Sequence, residues 1–339
     1  MQTQTRAARS VNRAHFVERA CCPACASVNT VEIYAAPLNE PPVRDFIASH
    51  YATQGEVNWS YLSGTDYVLD ECADCELIFQ RFIPNDALLN HIYCEMIDPE
   101  KLSRVENSRL TIDTFHRIAG EMDVLFRLAG KPPAEIRFLD YGYGHGRWAR
   151  VARAMGAEVY ATEIGEDKIA SAAALGVRMI PDAEIDNMRF DIVHTEQVFV
   201  HLVDPAATFK RLAAVTDGIM KVAVPTQTRA KELVQSKGLT AASPFKKIVA
   251  GETLSRQDLT YISLQPLEHL NTYSVKTFER LCAAHGMRII SRTRRASIPL
   301  NIMTPKLALG SLKRAASMIA KTILPPVSAY FVMSPANRA

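Results

Sequence analysis

Two Cys-x-x-Cys pairs, Cys22-Pro-Ala-Cys25 and Cys72-Ala-Asp-Cys75, concentrate the metal-binding chemistry of the 339-residue chain. A tetrahedral zinc ion takes four thiolates at about 2.3 Å, and each pair delivers two from one turn. Four sulfurs close the shell, so the role expected of Cys22, Cys25, Cys72 and Cys75 is structural zinc, not catalysis. Disulfides or coincidence are the competing readings, and a reducing compartment disfavours the first. The 46 residues between the pairs must fold back to bring them together. Cys21 is a rival ligand beside the first pair, whereas Cys94 and Cys282 read as buried apolar residues.

A second constellation begins at Asp140-Tyr141-Gly142-Tyr143-Gly144-His145-Gly146. Alternate glycines let backbone pass close to a bulky ligand and aim N–H groups at it from a helix N-terminus. Glu163 follows about twenty residues on, where a carboxylate takes both hydroxyls of a ribose. Pro181-Asp182-Ala183 then offers a carboxylate and a backbone N–H to an adenine edge. A dinucleotide fingerprint can be threaded through Gly144, Gly146 and Ala149. Against it stands Asp140, whose charge repels a pyrophosphate. S-adenosylmethionine carries no phosphate, and its sulfonium and ammonium groups are attracted by an acid. The expected cofactor-binding residues are therefore Asp140, Gly142, Gly144, Gly146, Glu163, Asp182 and Ala183.

The elements that must position these residues are legible in the hydrophobic pattern. Strands are expected at 136–140, 158–162, 177–180, 190–194 and 219–224, with helices between them, which implies parallel βαβ units in a doubly wound α/β sheet. Asp204-Pro205 starts a helix, with Asp as N-cap and Pro at its first position. Apolar residues at three- and four-residue steps (Leu110, Phe115, Ile118, Met122, Leu125, Leu128) predict a helix over 103–129. The expected organisation is a disordered tail over 1–18, a zinc-binding domain over 19–102, a linking helix over 103–130, a sheet domain over 131–303 with 226–273 as a substrate lid, and a tail over 304–339. An organelle transit peptide is the rival reading of the first twenty residues.

Composition is that of a globular protein, 48% hydrophobic and 22% charged, which excludes collagen-like and mainly disordered chains. No run of 18 apolar residues occurs and the N-terminus has no apolar signal core, so the expected location is cytoplasmic. No acid follows Glu279, while ten basic residues do, so the small net charge of +3 hides an acidic body and a basic end. Residues 307–333 suggest a basic amphipathic helix before Pro325-Pro326 that rests on a membrane face, on a partner or on the protein itself.

The residues 138–146, Glu163, 181–183, 190–205 and 267–274 together resemble class I S-adenosylmethionine-dependent methyltransferases. The paired Cys knuckles, with Leu77-Ile78-Phe79 and Ile92-Tyr93, are similar to the zinc-binding domain preceding some of them, sugar C-methyltransferases included. The chain is expected to lack the full extra C-terminal domain of those enzymes, and it has Val200 where the family commonly has Glu before the His at 201. The resemblance implies a Rossmann-like seven-stranded sheet with its last strand antiparallel, and 287–290 with 298–302 is the expected final hairpin. It also implies methyl transfer by in-line displacement to a small-molecule or sugar acceptor, such as a nucleotide-linked sugar or surface glycan. His201 and His269 are candidate general bases and Tyr273 an assisting or substrate-binding group; each histidine is otherwise a structural hydrogen-bonding residue. Glu196 either lines the methionine end of the donor or is a surface acid. The alternatives are methylation of RNA, which the acidic body disfavours, and a scaffold that keeps the fold without the chemistry.

Overall fold

In the computed structural model the described residues are 7–163, 165–225, 229–240, 242–252, 254–292, 305, 308–313, 315–316 and 328–337. The chain forms two compact units. The first comprises Met1–Ser108, Phe199–Ala206 and Pro225–Arg280; the second comprises Arg109–Val198, Ala207–Val224 and Leu281–Ala339.

The first unit is built on a four-stranded sheet ordered Asn271–Thr272, Ile78–Gln80, Asp66–Cys72, Thr30–Pro37, all antiparallel. The helix Val43–Tyr51 buries Val43, Phe46, Ile47 and Tyr51, one face at helical spacing. These pack in one core with Leu62, Val68 and Ile78, and with Ala230, Val234, Leu264 and Leu267 from the returning chain. The stretch expected as a lid over 226–273 thus supplies core residues of this unit. Phe16–Glu18 pairs antiparallel with Phe82–Pro84, so the end of the expected tail is a strand, anchored by Phe16 at 2% exposure.

A buried ion pair holds this sheet. Arg81 Nε and Nη2 donate to the two oxygens of Asp70 at 2.9 and 2.6 Å, and Nη2 also reaches Glu32 at 3.0 Å. Removing one partner of a buried pair strands the other's charge, at a cost of about 3–5 kcal/mol. An Arg81→Met protein is expected to lose stability on that scale in urea titration. Asp70→Asn combined with Arg81→Met should recover part of it.

The second unit contains a seven-stranded mixed sheet ordered Met287–Ser291, Ser328–Pro335, Thr216–Pro225, Phe190–Glu196, Arg137–Tyr141, Glu158–Thr162, Arg178–Met179. The last five are parallel to one another, and Met287–Ser291 is antiparallel to Ser328–Pro335. The strand at 287–291 is where the sequence places it, but its partner is not: the pairing segment is Ser328–Pro335, and 298–302 lies outside the described residues. Tyr330, Phe331, Val332 and Met333, beyond the helix expected before Pro325-Pro326, are buried in a strand of the sheet.

The helix expected over 103–129 is two helices, Pro99–Ser108 and Ile112–Ala129. The Thr111 hydroxyl caps the second by accepting from the Thr114 N–H at 3.2 Å, and Gly130 ends it at φ 72°. Its buried face of Ile118, Met122, Leu125 and Phe126 packs in one core with Phe138, Ile192 and Ile219. Among the described residues no helix is long and apolar enough to cross a membrane.

Candidate functional site

The two knuckles are built alike. In the first, Ala26 N–H donates to Cys22 O at 2.9 Å with Ala26 at φ 57°; in the second, Glu76 N–H donates to Cys72 O at 2.8 Å with Glu76 at φ 60°. The long separation resolves through the sheet. Thr30–Pro37 leaves the first knuckle and Asp66–Cys72 returns antiparallel to it, placing Thr30 opposite Cys72. The Sγ atoms of Cys22, Cys25, Cys72 and Cys75 all lie within 4.8 Å of one another. Cys22 and Cys75 are 3.5 Å apart, and Cys25 and Cys72 are 3.6 Å apart. A tetrahedron with ~2.3 Å zinc–sulfur bonds has edges of about 3.8 Å, whereas a disulfide needs about 2.05 Å. The donor set and spacing fit zinc. Ser274 and Thr277 hydroxyls donate to Cys75 O at 3.1 and 2.9 Å, fixing the second knuckle from behind. Cys21 is outside the cluster, Cys282 is buried as expected, and Cys94 is exposed, contrary to its apolar reading.

In the second unit the glycine loop leaves the carboxyl end of Arg137–Tyr141 and enters the helix Arg147–Ala154 with Gly146 as N-cap. Tyr143 folds under the loop, 3% exposed, and a Cβ on Gly146 would fall 2.2 Å from its ring. Glu163, just past Glu158–Thr162, accepts from Gly144 N–H at 2.7 Å and Gly165 N–H at 3.1 Å, with Lys168 Nζ 3.6 Å away. Asp182 and Ala183 open the 3-10 turn Asp182–Asn187 and are exposed; Arg211 pairs with Asp182 and with Asp186. His145 is half-buried in the loop.

Asp140 is not exposed at the end of its strand. Its side chain is buried, and Oδ1 lies 2.8 Å from His194 Nδ1. His194 Nε2 is 3.1 Å from Lys221 Nζ, which pairs in turn with Glu196 at the end of Phe190–Glu196. His194 and Lys221 were not found by sequence reasoning. The available signal was a lysine within the apolar strand run Ile219–Val224 and a histidine within Phe190–Val193 and its continuation.

The candidate bases belong to the first unit. His201 Nδ1 is 2.9 Å from Glu268 O, and His269 Nδ1 is 2.5 Å from Ile262 O. Their rings are 5.0 Å apart, edge to face. A carbonyl accepts only, so Nδ1 of each ring carries the hydrogen and Nε2 keeps its lone pair. Burial lowers both pKa values, His201 to about 4 and His269 well below the usual range, so both rings are neutral. Sequence reasoning missed the carboxyl group between them and the N-terminal segment. Glu268 accepts from Tyr51 OH at 2.6 Å and Gln265 Nε2 at 3.1 Å, with His50 Nε2 3.8 Å away, and burial raises its pKa. The hydroxyl of Tyr273 is committed to Phe199 O at 2.8 Å and is fully buried.

Residues 112–292, more than half of the chain, match the family model described as a methyltransferase domain. The chain belongs to this family. It is an S-adenosylmethionine-dependent methyltransferase of the α/β class. Among curated proteins none matches. Among solved structures the methyltransferase resembles the plantazolicin methyltransferase BpumL in complex with a pentazolic desmethylPZN analog and S-adenosylhomocysteine, at 16% identity and a TM-score of 0.44, covering 73% of this chain and 94% of that one. It also resembles the magnesium protoporphyrin IX methyltransferase of Synechocystis PCC 6803, at 13% identity and a TM-score of 0.40, covering 64% and 83%. An S-adenosylmethionine-dependent methyltransferase from Mesorhizobium loti matches at 15% identity and a TM-score of 0.39, covering 63% and 97%.

Gly142 offers a direct check on the loop of the methyltransferase. It sits at φ 81°, and a Cβ there would lie 2.5 Å from Val198 Cγ2. A left-handed L-residue costs about 1–2 kcal/mol before any clash. Gly142→Ala is expected to weaken S-adenosylmethionine binding at least about tenfold, since each 1.4 kcal/mol is a factor of ten, as read by calorimetry.

Proposed function

We propose that this methyltransferase transfers the donor methyl to a small-molecule or sugar acceptor, a nucleotide-linked sugar or surface glycan being the class expected. The acceptor atom attacks the methyl carbon in line, the carbon–sulfur bond breaks, and its electron pair stays on sulfur to give S-adenosylhomocysteine. The acceptor's proton passes to a histidine Nε2. Holding the reactants aligned supplies about 7–11 kcal/mol of such a reaction. Glu163 and the glycine loop are the assigned donor-binding groups, with Asp182 and Ala183 at the adenine end and Glu196 at the methionine end. Cys22, Cys25, Cys72 and Cys75 hold a structural zinc ion.

The observation that supports the acceptor reading is the pair of neutral, carbonyl-locked histidines beside Glu268 and Tyr51 in the first unit. Such a cluster suits deprotonation of one hydroxyl or activated carbon of a compact molecule. Incubating the enzyme with labelled S-adenosylmethionine and a metabolite extract should put label into small molecules. Label appearing only in RNA would overturn the acceptor class.

A further inference from the structure

Asp140, His194 and Lys221 are register partners across three adjacent parallel strands. Their side chains form a continuous polar row through an otherwise apolar layer, with His194 stacked on Trp148 at 5.4 Å and on Phe138 at 5.8 Å. All three are buried, at 3%, 0% and 3% exposure. Lys221 fixes the direction of every bond in the row. An ammonium only donates, so His194 Nε2 must accept; Nδ1 then carries the hydrogen and donates to Asp140. The remaining Lys221 donors meet Glu196 and the faces of Trp148 and Tyr330, with Nζ 5.4 and 4.9 Å from the ring centroids.

We propose that Lys221 is a positioning residue that acts through His194 to draw the proton off Asp140 into solvent, and thereby sets the enzyme's preference for its cationic donor over the product. The proposal rests on the reading that the loop after Asp140 holds the donor. S-adenosylmethionine and S-adenosylhomocysteine differ in the sulfonium charge and share the ammonium, so their affinity ratio reports the charge near the sulfur. Burial pushes the Asp140 carboxyl up to about 8 while Lys221 pulls it down and Glu196 and Glu163 push it further up. The carboxylate exists above that value and is lost below it. The Ala149 N–H, from the helix Arg147–Ala154, also favours the charged form. Further charged groups among the described residues nearby include Lys168 beside Glu163, and Arg117 and Arg147 over the Trp148 ring; the Tyr330 hydroxyl donates to Glu196 at 3.4 Å.

The test is calorimetry of both ligands on the full chain between pH 6 and 9. In the wild type the ratio of affinities should rise with pH, as Asp140 ionises. Lys221→Met should move the midpoint up by about one pH unit or more, lowering the ratio at pH 7 by up to about tenfold. Lys221→Arg, which keeps the charge, should leave it in place. Glu196→Gln should shift the midpoint the other way, and it carries the test if Lys221→Met does not fold. A ratio flat with pH, or a midpoint that neither substitution moves, overturns the proposal. Wild-type affinities for both ligands that Gly142→Ala leaves intact would instead overturn the placement of the donor at this loop.

Discussion

Replacing Cys75 with serine is expected to unfold the first unit at ordinary temperature. The four thiolates close a site whose edges match tetrahedral zinc, and structural zinc supplies about 10–16 kcal/mol of apparent binding energy at neutral pH. That is comparable to the whole stability of a typical domain, about 5–15 kcal/mol. The knuckles also terminate strands of the four-stranded sheet: Cys72 ends Asp66–Cys72, and Ala73 N–H donates to Asn29 O at 2.9 Å. On the proposed zinc assignment, losing the ion would release the sheet as well as the turns. Elemental analysis should find one zinc per wild-type chain and none in Cys75→Ser, with loss of the cooperative thermal transition of that unit. A strong chelator should do the same to the wild type. Cys94→Ser, at an exposed cysteine outside the cluster, should keep both metal and transition. A metal-free wild-type protein that melts normally would overturn the zinc assignment.

The second large effect is catalytic. His269→Ala should lower kcat by about 10²–10⁴-fold, the range a positioned general base supplies, while donor affinity stays within about twofold. The reactive form is the neutral ring, and burial holds His269 well below and His201 at about 4. The base is therefore ready throughout the neutral range. The rate should be flat from about pH 6 to 9 on account of these groups and should fall only in acid, as the imidazole gains a proton. Initial rates with the acceptor found by the labelling experiment provide the check. If His201→Ala carries the loss instead, the base is the other ring of the pair; if neither does, the histidine mechanism is excluded.

What the sequence made legible is what local chemistry dictates. The knuckles follow from cysteine spacing, the loop from its alternating glycines, and the five parallel strands from short apolar runs ended by Asp, Glu or Pro. The strand beside the edge was misplaced because Tyr330-Phe331-Val332-Met333 sits behind Pro325-Pro326 and far from its partner at 287–291. Pairing across such a gap has no local signal. The role given to Asp140 was half visible: an acid before a glycine turn is plain, but its turn inward toward His194 depends on Lys221, two strands away in the sheet. The Glu268 cluster was hidden for the same reason, since Tyr51 and Glu268 meet only through folding.

The first unit is assembled from three stretches of chain, and the strand Asn271–Thr272 seals an edge whose partner, Ile78–Gln80, was made far earlier. At about 5–20 residues per second of translation, that edge stays open for roughly ten seconds or more on the ribosome. The nascent cysteine knuckles are complete well before then. A metal ion captured at that stage would clamp two turns together while the sheet still lacks its final hydrogen bonds, giving the half-made protein a staple against aggregation until synthesis catches up.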